Sequence, residues 1–288
     1  MRLGNVWYQG QPRVAVMMGD SDSGGCQLLP KEYSATDDLW EHLMDDAGRE
    51  RLMRAASDSV TVRDLGWRPP VLAPSKVLCI GLNYRQHARE TGADIPTVPV
   101  VFNKFPSTLA ADGEDIPIPA ATRELDYEAE LVIVMGRRAF RVSPEESLNY
   151  VAGYAVGNDV SARDLQRSTS QWLFGKSSPG FAPLGPWITT ADEVPNPQGL
   201  PIQLWRNDVL CQNSNTEDMI FSCQTIISHL ASVWPLEPGD LIFTGTPEGV
   251  ILGLPEDKRR WLQNGDVVKV AIAGLGELTN RFVESRDD

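Results

Sequence analysis

Apolar and polar residues alternate, or run briefly apolar, at residues 6–8, 14–18, 76–83, 100–102, 131–135, 153–156, 187–189, 202–205, 241–244 and 267–272. Period-two patterning punctuated by Gly and Pro predicts short strands. A helical period is clear only at residues 36–56, 144–150 and 219–233. The chain therefore reads as α+β and β-rich, a roll or sandwich rather than a doubly wound α/β sheet. Residues 67–74, Trp-Arg-Pro-Pro-Val-Leu-Ala-Pro, are proline-rich and extended, which suits a linker. They divide the 288 residues into a small N-terminal α+β domain, 1–72, and a larger domain, 73–288. Only the tail, 285–288, reads as disordered, and no internal repeat is evident.

One strand pattern departs from an apolar buried face. In Glu124-Leu-Asp-Tyr-Glu-Ala-Glu-Leu-Val-Ile-Val-Met-Gly136, three acids stand two residues apart just before an apolar run. In a strand Asp126, Glu128 and Glu130 share one face, which continues into Val132 and Val134. Read alone, this is either a half-exposed strand with an acidic wet face or a site for a hard divalent cation, Mg²⁺ or Mn²⁺, which prefers oxygen ligands. Asp159, in Ala152-Gly-Tyr-Ala-Val-Gly-Asn-Asp-Val-Ser-Ala-Arg-Asp164, shifts the balance toward the cation. Gly153, Ala155 and Gly157 alternate up to it, as on a strand with another strand or a ligand packed close. Three carboxylates on neighbouring strands would leave about three positions of an octahedral ion for water or substrate.

Other segments add chemistry in proportion to their context. Of the three histidines, His42 and His229 lie in helical patterns among structural neighbours. His87 follows a strand and a turn, with Glu90 three residues on, a spacing that brings the pair together on one helical turn. Such a carboxylate orients an imidazole as a general base, although an exposed His-Glu pair would show the same spacing. Lys176 sits in a Gly- and Pro-rich loop, either as a solvated lysine or as a cation facing a carboxylate or oxyanion. Thr244-Gly-Thr-Pro-Glu-Gly-Val250 offers hydroxyls and free backbone donors, an anion-holding turn without the P-loop pattern. Neither GxGxxG nor GxSxG occurs, so dinucleotide binding and a serine-hydrolase elbow lack support.

The net charge of -13 argues against nucleic acid and an anionic membrane surface as partners, though a local cation can still admit a small anionic substrate. The four cysteines form no CxxC pair, and no segment has the run of about 20 apolar residues that a helical span needs. With no leader pattern at the N-terminus, the reading points to the cytoplasm.

Together the segments resemble the fumarylacetoacetate hydrolase family, in its shorter bacterial type with a small N-terminal domain. The likeness covers about residues 74–284 and runs in order: IGLNYxxHxxE, LDYExELxxVMG, GNDVSARDLQ, GKSxxxFxPLGPW, NSNTxDMIF, LEPGDLIFTGTPxGV and NGDVV. The resemblance implies a β-roll catalytic domain, a homodimer, and Mg²⁺ or Mn²⁺ held by Glu128, Glu130 and Asp159. It further implies His87 and Glu90 as a catalytic dyad, Lys176 as the cation at the reacting centre, and Arg163, Gln166 and Thr246 against a small anionic 2-oxo acid. Departures occur at Glu248 and Ile251, where relatives carry a small residue and Gly, and at Ser177-Ser178-Pro179. An acid at 248 would repel a second substrate carboxylate.

The implied reaction is divalent-metal-dependent hydrolysis of a carbon-carbon bond in a 2,4-dioxo acid, an acylpyruvate, releasing pyruvate. The same residues would also suit oxaloacetate decarboxylation, or isomerisation or hydration of a dienoic 2-oxo acid such as 2-hydroxyhepta-2,4-diene-1,7-dioate. A non-catalytic scaffold is disfavoured by retention of the acids, the dyad and the lysine together.

Overall fold

The computed structural model describes residues 1–19, 25–62 and 65–285, so the tail expected to be disordered lies, beyond Ser285, outside the described residues. The chain opens with β1 (Arg2–Tyr8), β2 (Gln11–Met17) and β3 (Gly25–Leu28), then α1 (Trp40–Leu43), α2 (Asp46–Ala55), β4 (Asp58–Thr61) and β5 (Gly66–Trp67). The helical period over 36–56 is divided because Asp45 starts α2 afresh: its Oδ1 accepts the Gly48 amide at 2.6 Å, an N-cap.

Next come β6 (Val77–Gly81), α3 (Arg85–Glu90), β7 (Val100–Lys104), β8 (Leu109–Ala110), β9 (Asp115–Ile118), β10 (Leu125–Asp126) and β11 (Ala129–Met135). They are followed by α4 (Pro144–Ser147), β12 (Val151–Asn158), β13 (Ser161–Ala162), α5 (Arg163–Gln166), α6 (Leu173–Lys176) and β14 (Ala182–Thr190). The last elements are β15 (Pro201–Arg206), β16 (Val209–Asn215), α7 (Cys223–Ala231), β17 (Leu241–Phe243), β18 (Val267–Ile272) and β19 (Gly276–Glu284). The fold is α+β and strand-rich.

A twelve-stranded sheet runs β4-β3-β2-β1-β14-β12-β11-β17-β6-β7, with β5 added to β1 and β8 to β14. A five-stranded sheet, β16-β15-β18-β19-β9, covers it, and β10 pairs with β13 alone. β11 is buried along its whole length. Its alternate faces enter different cores. Leu131, Ile133 and Met135 pack with Ile202, Leu204, Val268 and Ile226, whereas Val132 and Val134 pack with Leu3, Val14, Val16 and Phe243. Full burial of each such aliphatic side chain contributes about 1.5–3 kcal/mol, which fixes the register and with it the positions of the acids at the strand's start.

The glycines of β12 are explained by neighbouring strands. A Cβ on Gly153 would lie 2.3 Å from the Thr189 carbonyl oxygen, and one on Gly157 would lie 2.5 Å from Val132 Cγ2 and 2.7 Å from Phe243 Cε1. β19 escaped the sequence reading because its inward row, Leu278, Asn280 and Phe282, includes a polar residue. Asn280 is satisfied there by donating to the carbonyls of Ala111 at 2.8 Å and Glu114 at 2.9 Å. Among the described residues no helix is long and apolar enough to cross a membrane.

Gly153→Ala is expected to destabilise the protein by about 1–3 kcal/mol, because the contact it creates is with backbone rather than a movable side chain. Denaturant melts check this. An unchanged midpoint would show that β12 and β14 can separate without cost.

Candidate metal centre and active site

The β11–β12 pairing matches Ala129 with Asn158 and Glu130 with Gly157, so Glu128, Glu130 and Asp159 meet at one end of the two strands. Asn158 Oδ1 accepts the Glu128 amide at 2.9 Å, and the Glu128 carbonyl accepts the Asp159 amide at 2.9 Å. The three carboxylates are buried, with ligand atoms all within 4.8 Å of one another. Lys176, on α6, reaches in with Nζ 2.7 Å from Glu128 Oε2 and 2.8 Å from Asp159 Oδ2. Lys104 Nζ lies 2.6 Å from Asp159 Oδ1, and Arg163 Nη2 lies 2.6 Å from Glu128 Oε1.

Charge is distributed unevenly over the acids. Burial pushes the Glu128 carboxyl up, but Arg163 and Lys176 outweigh it and bring the group down to about 2. Glu130 has no such partner: its Oε2 accepts the Gly245 amide at 2.8 Å, and among the described residues no Lys or Arg pairs with it. Burial, then Asp159 and Glu128, holds its carboxyl well above the ordinary range. A buried carboxylate left without a counter-charge is costly, and this all-oxygen donor set is of the kind that a divalent cation takes. The residues fit a hard ion, Mg²⁺ or Mn²⁺.

The two lysines show the same competition. Burial lowers Lys104, and the attraction of Asp159 does not fully offset it. Lys176 faces the same burial, yet Asp159 and Glu128 together raise it above the ordinary lysine value.

His87 is buried, with Nδ1 3.4 Å from Glu90 Oε2, so the pair on α3 is not an exposed one. Glu90 is itself fixed by the Gly249 amide, which approaches its two oxygens at 3.0 and 3.2 Å. Turn 244–250 thus holds anions, as its composition suggests, but they are the protein's own: Gly245 serves Glu130 and Gly249 serves Glu90. Both glycines have left-handed φ, +99° and +98°, which aims these amides and disfavours any side chain.

A cavity of about 220 Å³ brings together His87, Glu128, Glu130, Asp159, Arg163, Gln166, Lys176 and Thr246. A wider surface hollow of about 800 Å³ beside Met1 and Arg49 holds none of them. Gln166 Oε1 accepts Arg163 Nη1 at 3.1 Å, and Thr246 Oγ1 accepts Gln212 Nε2 at 3.0 Å, which leaves the threonine O–H as a donor. His42 and His229 line neither the cavity nor the acid cluster.

Asp126 parts from the other acids. Its carboxylate accepts the Ile251 and Leu252 amides at 2.9 and 3.0 Å and pairs with Arg163 Nε at 2.9 Å, because the chain leaves β10 before β11 begins. The sequence reading missed Lys104, whose position at a strand end looks like surface. It is buried, with Nζ donating to the carbonyls of Val160, Lys176 and Phe181 at 3.0, 2.6 and 2.7 Å. It also missed Gln212, whose Oε1 accepts the Ala129 amide at 2.9 Å, and the cavity residues Arg167 and Trp172. Glu248 does not line the cavity; its Oε2 lies 3.4 Å from Ser214 Oγ.

The model of the fumarylacetoacetate hydrolase C-terminal domain matches residues 76–283, and the chain belongs to that family. It is 45% identical over 219 residues to a fumarylacetoacetate hydrolase domain-containing protein 2 homolog of Dictyostelium discoideum, covering 73% of this chain and 72% of that one. A mitochondrial oxaloacetate tautomerase of Xenopus laevis is 40% identical, with 74% and 67% covered. The fold matches 2-hydroxyhepta-2,4-diene-1,7-dioate isomerase from Mycobacterium marinum with a TM-score of 0.81 and 31% identity over the whole of both chains. It also matches a fumarylacetoacetate hydrolase from Exiguobacterium antarcticum, with a TM-score of 0.86 and 31% identity over 99% of this chain and 100% of that one.

Glu130 gives a pH test with a defined sign. Its raised carboxyl makes the metal-free folded chain bind a proton that the unfolded chain has lost, so stability falls as pH rises from its ordinary value of 4.5 through the raised one. Glu128 acts oppositely and lower, its contribution being lost as pH falls from 4.5 toward about 2. Thermal melts between about pH 5 and 8 should show the metal-free decline, its removal by Mn²⁺, and loss of both effects in Glu130→Gln. A Mn²⁺ shift that survives Glu130→Gln would place the ion elsewhere.

Proposed function

We propose that this chain moves a proton at the carbon beside the 2-oxo group of a small 2-oxo dicarboxylate, interconverting keto and enol forms, with oxaloacetate as the test case. The observation that carries this reading is His87, backed by Glu90 at its Nδ1 and lining one cavity of about 220 Å³ with the acid triad and with Arg167. Glu128, Glu130 and Asp159 would hold the divalent cation, which polarises a 2-oxo group and makes the neighbouring carbon more acidic. Glu90 faces His87 Nδ1, so Nε2 is the nitrogen available to take the C3 proton. The electron pair left behind enters the C2–C3 bond and charge moves to the 2-oxygen. Return of the proton to oxygen gives the enol and to carbon the ketone; no water is consumed.

The other groups bind and orient. Lys176 engages Glu128 and Asp159 with two N–H bonds and keeps a third donor for a substrate oxygen. The Thr246 hydroxyl donates to a carboxylate. Arg167, whose Nη2 pairs with Glu124, lies at the cavity and suits a second carboxylate, while Glu248 stands apart and does not oppose one. Isomerase and tautomerase names among the relatives support proton relocation in a diacid.

Hydrolysis of a 2,4-dioxo acid is a second reading, favoured by one observation. Gln166 has its oxygen occupied by Arg163, so its amide donors remain to orient a water that His87 deprotonates for attack on the 4-carbonyl. Collapse would then release pyruvate.

Ultraviolet decay of enol-oxaloacetate with Mn²⁺-loaded protein, run beside acetylpyruvate loss and pyruvate release, separates the readings. Accelerated enol decay without pyruvate release is expected, with His87→Ala lowering kcat/KM by about 10²- to 10⁴-fold. Pyruvate from oxaloacetate would mean decarboxylation instead. Consumption of acetylpyruvate with no effect on the enol would establish hydrolysis and overturn the tautomerase reading.

A further inference from the structure

Gly81, at the end of β6, has no left-handed φ, so its backbone does not require glycine. Space does. A Cβ there would lie 2.3 Å from Trp172 Cζ3 and 2.7 Å from Cη2. The indole lies against this bare stretch of strand and meets Phe102 with ring centroids 5.3 Å apart at 63°. Phe102 in turn lies under Lys176, whose Nζ is 5.0 Å from its ring centroid. Gly81, Phe102 and Trp172 all line the active cavity. The indole is carried by a stretch, residues 167–171, that is exposed throughout, and it is anchored where the Gly175 amide donates to the Trp172 carbonyl at 3.0 Å.

We propose that Trp172, seated on Gly81 and Phe102, is the size-selecting residue of this site, closing the cavity to 2-oxo acids with bulky substituents. The inference rests on the 2-oxo acid reading above and adds the length of acid accepted. Its physical basis is packing: an indole occupies a large rigid volume with two rotatable bonds, and here it is held by the bare backbone of Gly81 and by the Phe102 ring. A larger substituent on the acid must displace it. Removing it opens volume beside the cations without touching the acid triad or the dyad.

The test compares wild type with Trp172→Ala, Trp172→Phe and Gly81→Ala. Two acids are used, oxaloacetate and phenylpyruvate, and Mn²⁺-dependent enol decay is the readout. Trp172→Ala is expected to raise the phenylpyruvate-to-oxaloacetate ratio of kcat/KM by about tenfold or more, with Trp172→Phe between. Gly81→Ala, whose methyl displaces the indole from its seat, should shift the ratio from the wild-type value by more than about twofold. Binding is read separately, as the Mn²⁺-dependent thermal shift given by oxalate and by phenylpyruvate. If no acid is turned over by any variant, the catalytic reading fails, while admission of phenylpyruvate by Trp172→Ala and not by wild type still supports the size filter. A ratio and a binding preference unchanged within about twofold in Trp172→Ala would overturn it, as would wild type accepting both acids equally. Should Trp172→Ala not fold, Trp172→Phe and Gly81→Ala decide the matter by the same ratio.

Discussion

Everything near the cavity depends on balancing buried charge. Four carboxylates, Asp126, Glu128, Glu130 and Asp159, face three cations, Lys104, Arg163 and Lys176, and all seven side chains are buried. Four negative against three positive leaves one uncompensated charge, and it falls on Glu130, which no lysine or arginine pairs among the described residues. Desolvating several ions is repaid only by close pairing with the remaining lone pairs satisfied. Close pairing with a lysine or arginine is met for three of the acids. For the fourth, the balance favours either a proton or a divalent ion, which is how the protein's stability, its metal affinity and its chemistry become linked through one side chain.

The scaffold translates this balance into geometry through the turn between β17 and the 3-10 turn at Ile251–Gly253. Two glycine amides from that one turn hold Glu130 and Glu90, while Gln212 ties Thr246 of the same turn to the Ala129 amide at the start of β11. The metal acids, the dyad and the hydroxyl donor are therefore positioned by a common piece of backbone. A shift of the turn would move all three at once. Lys104 plays a comparable part on the other side, since its ammonium joins the Val160, Lys176 and Phe181 carbonyls to Asp159.

Much of this was legible from local sequence where side-chain chemistry and spacing coincide. Strands written as apolar runs, such as β6, β11 and β17, were recognisable, and so were Glu128, Glu130, Asp159, His87 and Lys176 as chemistry-bearing residues. Residues whose role depends on distant partners were not. Lys104 reads as a strand-end lysine until Asp159 and three carbonyls are seen around it, and Gln212 reads as an ordinary polar strand residue until the turn arrives above it. Asp126 shows the converse error: an alternating pattern places it with the other acids, but a two-residue break between β10 and β11 gives it to the Ile251 and Leu252 amides instead.

The sequence by itself determined the strand-rich class, the acids' spacing and the family, because alternation, turn residues and motif order are properties of the chain read in line. Tertiary structure alone decided which acids meet, which of them goes unpaired, and which of the possible cations face the cavity. These depend on register between β11 and β12 and on where the loops after β7, β13 and β17 return. Contacts between residues far apart in sequence follow from packing that no local pattern encodes. The seat of Trp172 on Gly81 is such a contact, since a glycine in a strand gives no sign of what lies over it.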